Sequence, residues 1–382
     1  MTPEPKPPYT LIQTPEALAR LVDDLKAART VAIDMEADSM HHFHERVCLI
    51  QVTAGAINTI VDPLALPDLS SLRPVLADPG ITKIFHGADY DVRSLYRDFG
   101  FEVLGLFDTQ IACQFLGYPE TGLEPVLKRH FGIELDKRYR RRDWSRRPLP
   151  PEMLDYAAKD AVYLIPLADI LQSELQQKGR MEWVKEECTI LSGVRPANHD
   201  GEPLFLRFRG AGRLAPRDLA VLEELLQLRR DIAHKKDRPL FKVFSNKSLL
   251  TVVQQRPCDL ETLRRSEALS HKQFNMYAEA FVQAVRRGLA VSQKDLPVYP
   301  RKRSPAAPRH APERVKRLKQ WRENYARRLG MEAGLVCNKA LITELAAANP
   351  QRVEDLDGIS GMKCWQKQAF GSRVIQVLKG KR

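Results

Sequence analysis

Thr30-Val31-Ala32-Ile33-Asp34-Met35-Glu36-Ala37 is an apolar run that closes on two acids. The run reads as a buried strand. Alternate side chains leave a strand on the same side, so Asp34 and Glu36 share a face. Two neighbouring carboxylates repel unless a positive charge lies between them, and oxygen-rich sites suit Mg2+ or Mn2+. A lone D-x-E also describes two solvated acids at a strand end, so the reading depends on further carboxylates in matching settings.

Two segments supply them. In Ile81-Thr82-Lys83-Ile84-Phe85-His86-Gly87-Ala88-Asp89-Tyr90-Asp91-Val92, a strand over Lys83–Phe85 and a turn at Gly87 lead into a helix. Asp89 is expected to be its N-cap, a position that favours Asp, which leaves Asp91 in the first turn as the functional acid. His86 is expected to make a structural hydrogen bond. In Pro150-Pro151-Glu152-Met153-Leu154-Asp155-Tyr156-Ala157-Ala158-Lys159-Asp160, proline opens a helix. Tyr156 and Asp160, four apart, lie on one face of it. Taken alone, that pair is also what a half-buried tyrosine beside a solvated aspartate looks like.

In chain order the segments read D-x-E, H-x-x-x-x-D and Y-x-x-x-D. They resemble the three exonuclease motifs of the DEDD superfamily, in its tyrosine-bearing branch. The intervening sequence is similar to that of ribonuclease D over roughly residues 10–185: Val47-Cys48-Leu49-Ile50-Gln51-Val52, Phe107-Asp108-Thr109-Gln110, Asp136-Lys137, Asp143-Trp144 and Arg147-Pro148-Leu149. The sequence departs from the family's D-T-E-F wording at Met35 and Ala37, and Asp38 adds a third acid. His41, His42 and His44 follow in a polar loop, with no Cys or further His spaced to complete a tetrahedral zinc set.

The resemblance implies an α/β ribonuclease-H-like exonuclease domain, a mixed sheet flanked by helices. It implies metal-dependent 3′→5′ exoribonuclease activity with Asp34, Glu36, Asp91 and Asp160 holding two divalent metal ions. Tyr156 would then orient the attacking water, since a tyrosine of ordinary pKa near 10 is a poor base at neutral pH. Asp108 is expected to cap a helix rather than ligate. Arg138, Arg140, Arg141, Arg142 and Trp144 form a basic and aromatic cluster that could grip phosphates or stack a base. A solvated surface run has the same composition.

Strands are expected at 30–35, 46–53, 57–61 and 82–85, the middle two as a hairpin, and helices from about 89, 109, 123 and 150. Beyond a break near Val194–Gly201 the chain reads as all helical. Val243-Phe244-Ser245-Asn246-Lys247-Ser248-Leu249-Leu250 is echoed by Leu335-Val336-Cys337-Asn338-Lys339-Ala340-Leu341-Ile342. Both copies resemble the HRDC domain, a small helical nucleic-acid-binding module that ribonuclease D carries in duplicate. The second has Gly358 and Gly361, which would let backbone amides approach a phosphate; the first lacks them, leaving its binding role open. The expected domains are an exonuclease domain over 1–200, a first HRDC-like domain over 205–292, a linker over 293–311 and a second HRDC-like domain over 312–382.

The charge is divided. Residues 1–200 hold 23 Lys and Arg against 30 Asp and Glu, and residues 201–382 hold 37 against 18. An acidic half with the candidate metal site and a basic half suggest a polyanion gripped by one part and processed by another. RNA, in particular tRNA precursors, is the expected partner; no protein partner is indicated. No apolar segment is long enough for a membrane. Six cysteines without C-x-x-C spacing fit reduced thiols in the cytoplasm.

Overall fold

The structure, a computed structural model, describes residues 8–135, 138–197, 199, 201–300, 308 and 310–380. The chain runs β1 (Thr10–Ile12), α1 (Pro15–Lys26), β2 (Thr30–Ala37), β3 (Val47–Ala54), β4 (Ile57–Val61), α2 (Arg73–Ala77), β5 (Thr82–Phe85), α3 (Asp89–Phe99), β6 (Leu106–Asp108), α4 (Thr109–Leu116), α5 (Leu123–Phe131), α6 (Pro151–Val162), α7 (Leu164–Gln177) and α8 (Met181–Ser192). The six strands form one mixed sheet in the order β1-β4-β3-β2-β5-β6. β2, β3 and β4 are antiparallel neighbours, the second and third forming the expected hairpin, while β1, β5 and β6 join in parallel. β3 is buried along its whole length, including Gln51 and Thr53 within its mainly apolar run.

Two helical modules follow. The first comprises α9 (Pro216–Lys235), α10 (Leu240–Val243), α11 (Asn246–Gln255), α12 (Leu260–Arg265) and α13 (His271–Ala290). The second comprises α14 (Ala311–Leu329), α15 (Ala333–Val336), α16 (Lys339–Ala348) and α17 (Cys364–Leu378). Their equivalence lies one residue away from the sequence echo. The N-caps Ser245 and Asn338 correspond, as do Arg256 and Asn349, which both end a helix in the left-handed region. Much of the linker expected over 293–311 lies outside the described residues, as do Asp136 and Lys137.

The chain divides into two compact units. One holds the sheet, α1–α8 and the second helical module; the other holds the first module with the loop Asp38–Arg46. The second module thus shares a continuous hydrophobic core with the exonuclease domain. Trp365 stacks on Trp183 at 4.8 Å and meets Phe115 edge-on at 5.4 Å. The Glu186 carboxylate accepts the Cys364 and Trp365 N–H groups that open α17, at 2.8 and 2.7 Å. A carboxylate there satisfies free backbone donors and complements the helix dipole. Arg180 donates to Phe115 O and, at 2.7 Å, to Leu329 O.

Candidate active site

The acids come from three elements. On β2, Asp34 pairs across the ladder with Gln51 and Glu36 with Leu49, and the register breaks just after Glu36. Asp91 lies in the first turn of α3. Tyr156 and Asp160 face the sheet from α6, which begins at Pro151.

α3 differs from expectation at its start. Ala88, not Asp89, is the N-cap, and Asp89 pairs with Arg93 at 2.8 Å. The turn before the helix is held from across the fold by Asp108. Its buried carboxylate accepts the N–H groups of Gly87 and Ala88 at 3.0 and 2.7 Å, and those of Gln110 and Ile111 at 2.7 and 3.1 Å. One side chain therefore fixes both the turn that presents Asp91 and the start of α4. His86 Nδ1 lies 2.9 Å from Thr109 Oγ1, which donates to Phe85 O.

The four acids stand in one another's field. Burial raises the Asp34 carboxyl to about 6. Glu36 is pushed well above the usual carboxylate range by burial and then by Asp34, Asp160 and Asp91. Burial does the same to Asp91 and Asp160, with Asp34 the next contributor to each. The Tyr156 hydroxyl hydrogen-bonds Asp160 and is driven far above its usual pKa, first by burial and then by Asp160, Glu36 and Asp34. It stays protonated at neutral pH and can donate a hydrogen bond but cannot serve as a base.

This donor set fits hard divalent cations. All four ligating groups are carboxylates. Asp160 Oδ1 is buried without a partner, and so are both amide atoms of Gln51, which is fully buried directly across from Asp34. Such groups mark unfilled polar capacity facing the acids. Among the described residues no three His, Cys, Asp or Glu side chains are already gathered in ligating geometry. Because the Asp34 carboxyl is easier to protonate in the folded than in the unfolded chain, its contribution makes the metal-free fold lose stability as pH rises from about 4 through about 6. Added Mg2+ should therefore raise the thermal midpoint at pH 8 clearly more than at pH 5, read by a thermal-shift titration. Equal shifts at both values would contradict a charge-driven site.

The basic cluster separates into parts. Arg138, Arg140, Arg141 and Arg142 are exposed, and Arg140 is the one whose charge opposes the raised pKa of Glu36 and Asp160. Trp144 does not provide the stacking platform expected of it. It is 1% exposed and packs with Cys48, Leu49, Ile60 and Met153, its ring 6.1 Å from that of Tyr156. Arg147 holds it there, donating to Asp62 at 2.6 and 2.8 Å, to Trp144 O at 2.7 Å and to Cys48 O at 2.9 Å. Although burial works against it, these bonds and one from Gln13 hold the Asp62 carboxyl below its ordinary value. Sequence reasoning also passed over Gln51 and Tyr139, whose ring lies 5.9 Å from that of Tyr156. Gln51 had a signal, a lone amide within an apolar strand.

A mixed sheet presenting two acids on a central strand, with a third acid and a tyrosine–aspartate pair brought over it by helices, defines the tyrosine-bearing class of 3′→5′ exonucleases. Residues 9–176 match a 3′-5′ exonuclease family, and residues 218–285 and 311–378 each match the HRDC domain. Curated relatives include a ribonuclease D from Acidiphilium cryptum (29% identical, covering 100% of this chain and 96% of that one) and one from Granulibacter bethesdensis (28%, 98% and 93%). Among solved structures, Escherichia coli RNase D, an exoribonuclease involved in structured RNA processing, aligns with a TM-score of 0.75 at 25% identity, over 98% of this chain and 99% of that one. The chain resembles ribonuclease D over its full length and is a 3′→5′ exoribonuclease. Among the described residues no helix is long and apolar enough to cross a membrane.

Proposed function

We propose that this exoribonuclease trims the 3′ ends of structured RNAs such as tRNA precursors, in the cytoplasm, and releases nucleoside 5′-monophosphates by a two-metal mechanism. The observation that carries the reading is the shared field of Asp34, Glu36, Asp91 and Asp160, with Tyr156 hydrogen-bonded to Asp160. Asp34, Glu36, Asp91 and Asp160 would hold two Mg2+ or Mn2+ ions, which when bound supply an activated water and relieve charge on the phosphate. Asp34, central on β2 and contributing to the raised pKa of the other three, would serve both ions. The protonated Tyr156 hydroxyl, whose one hydrogen goes to Asp160, would orient the attacking water through its oxygen. Arg140, exposed at the edge of the acidic field, meets the incoming phosphate as a positive charge. A gel assay of end-labelled RNA and DNA, with and without Mn2+, tests this. Stepwise shortening of RNA that requires the metal is expected; DNA cleaved equally well would assign the site to a different substrate.

Tyr156→Phe should leave metal affinity unchanged and slow the chemical step by up to about 100-fold, the scale of lost positioning. Single-turnover rates beside a Mn2+ binding isotherm separate the two effects. A wild-type rate would make Tyr156 a packing residue.

A further inference from the structure

The two helical modules use the same element differently, and the contrast locates an RNA-binding surface. In the first module the connection from α9 through α10 reads Lys236-Asp237-Arg238-Pro239-Leu240-Phe241-Lys242. Its counterpart in the second, from α14 through α15, reads Leu329-Gly330-Met331-Glu332-Ala333-Gly334-Leu335. Asp237 and Gly330 hold the same place in the turn, both with positive φ, at 43° and 62°. Around that shared geometry the chemistry is opposite. The first copy carries three cations and an aromatic; the second carries no cation.

The second copy's connection is consumed by packing. Leu329 O accepts from Arg180, Met331 is buried, and the backbone at Gly330 comes so close to Gly117 that a Cβ on Gly117 would lie 1.8 Å from Gly330 O. Its other potential anion donors are also taken. Glu344 accepts the N–H groups of Ser360 and Gly361 at 2.9 and 3.3 Å, and Glu186 accepts those opening α17. Gly361, one of the two glycines expected to favour phosphate binding by this copy, instead admits a carboxylate of its own chain.

The first copy's connection is open. Phe241 is 55% exposed and Leu240 39%. Lys235, Arg238, Lys242 and Lys247 are all exposed, and none of them enters an ion pair among the described residues. Lys236 lies over the Tyr277 ring at 4.9 Å. The local acid, Asp237, is already committed: it accepts from the Phe43 N–H at 3.0 Å and meets His42 Nδ1 at 2.6 Å. His42 and Phe43 belong to the loop that leaves β2 just after the Asp34–Glu36 pair.

We propose that Phe241, with Arg238 and Lys242 beside it, forms a binding surface for a single-stranded stretch of the RNA substrate. Phe241 stacks on an unpaired base, and the cations hold the flanking phosphates. RNA binding thus falls to the first module, while the second serves as a fixed part of the catalytic unit. The proposal rests on the reading of RNA as substrate.

The test uses the full-length chain and a fluorescein-labelled single-stranded RNA, with affinity followed by anisotropy across a salt series. Phe241→Ala should weaken binding roughly tenfold. Arg238→Glu with Lys242→Glu should weaken it further and flatten the salt slope by about one or more. Lys339→Glu, an exposed cation of the second module, should change affinity less than twofold. Hydrolysis of a dinucleotide should be unaltered in all of them, as should the thermal midpoint, because the side chains are exposed. Unchanged affinity in the first-module variants would overturn the surface, as would an equal loss from Lys339→Glu, which would mark an effect of net charge. A wild-type chain with no salt-dependent affinity for RNA would instead remove the substrate reading itself.

Discussion

Asp34→Asn is expected to lower RNA hydrolysis by at least about 1,000-fold, equivalent to about 4 kcal/mol of lost transition-state stabilisation. Asp34 is the acid to which Glu36, Asp91 and Asp160 all respond, so neutralising it weakens the whole cation-binding field at once. The same change should make the metal-free protein more heat-stable at neutral pH. Its carboxyl is raised to about 6, so its charge works against the fold above that pH. The gain should be fully present at pH 8, shrink as pH falls through 6, and vanish near 4, where the native side chain is also protonated. Loss of activity with a raised midpoint separates loss of the site from loss of the fold. Near-normal turnover at saturating Mg2+ would show that Asp34 does not belong to the reaction.

The parts of this site that sequence revealed are those written over a few consecutive residues. Asp34 and Glu36 share a face because a strand alternates, and Tyr156 and Asp160 share one because a helix turns every 3.6 residues. Parts that depend on distant partners were read incorrectly. Asp89 resembles an N-cap by position, yet Asp108, in another strand, takes the N–H groups of Gly87 and Ala88 and leaves Asp89 to pair with Arg93. Trp144 sits among arginines and has the composition of a stacking platform. Its burial follows from Arg147 reaching back to Asp62 and Cys48 on the sheet. β1 and β6, three residues each, are too short to show a period. The two copies of the helical module differ in sequence at the α9–α10 and α14–α15 connections, but what each connection packs against is set by distant residues.

That asymmetry determines what happens when the C-terminal region is damaged. Trp365→Ala should destabilise the catalytic unit by about 3–5 kcal/mol, the usual cost of emptying a buried tryptophan site. Trp365 is buried against Trp183, Phe115 and Phe370, and its indole N–H donates to Glu187 at 2.9 Å. The loss leaves a cavity and removes one of the donors to Glu187, which keeps that of Lys363. Gly117→Val should do comparable harm from the opposite side. Gly117 has a φ of 83°, which a β-branched residue resists, and any Cβ there collides with the Gly330 carbonyl. Relief would require the second module to lift from the exonuclease domain. Both variants should therefore lower the thermal midpoint and bind a hydrophobic dye before global unfolding, although neither residue touches an active-site acid. Deleting residues 205–382 is consequently a poor test of RNA binding. It removes the basic first module together with the second module's share of a common core, and the exonuclease domain left behind should be unstable because the surface around Trp183 and Phe115 is uncovered. A truncated chain with a wild-type midpoint would show that the second module is merely tethered, and would restore it as a candidate for gripping RNA.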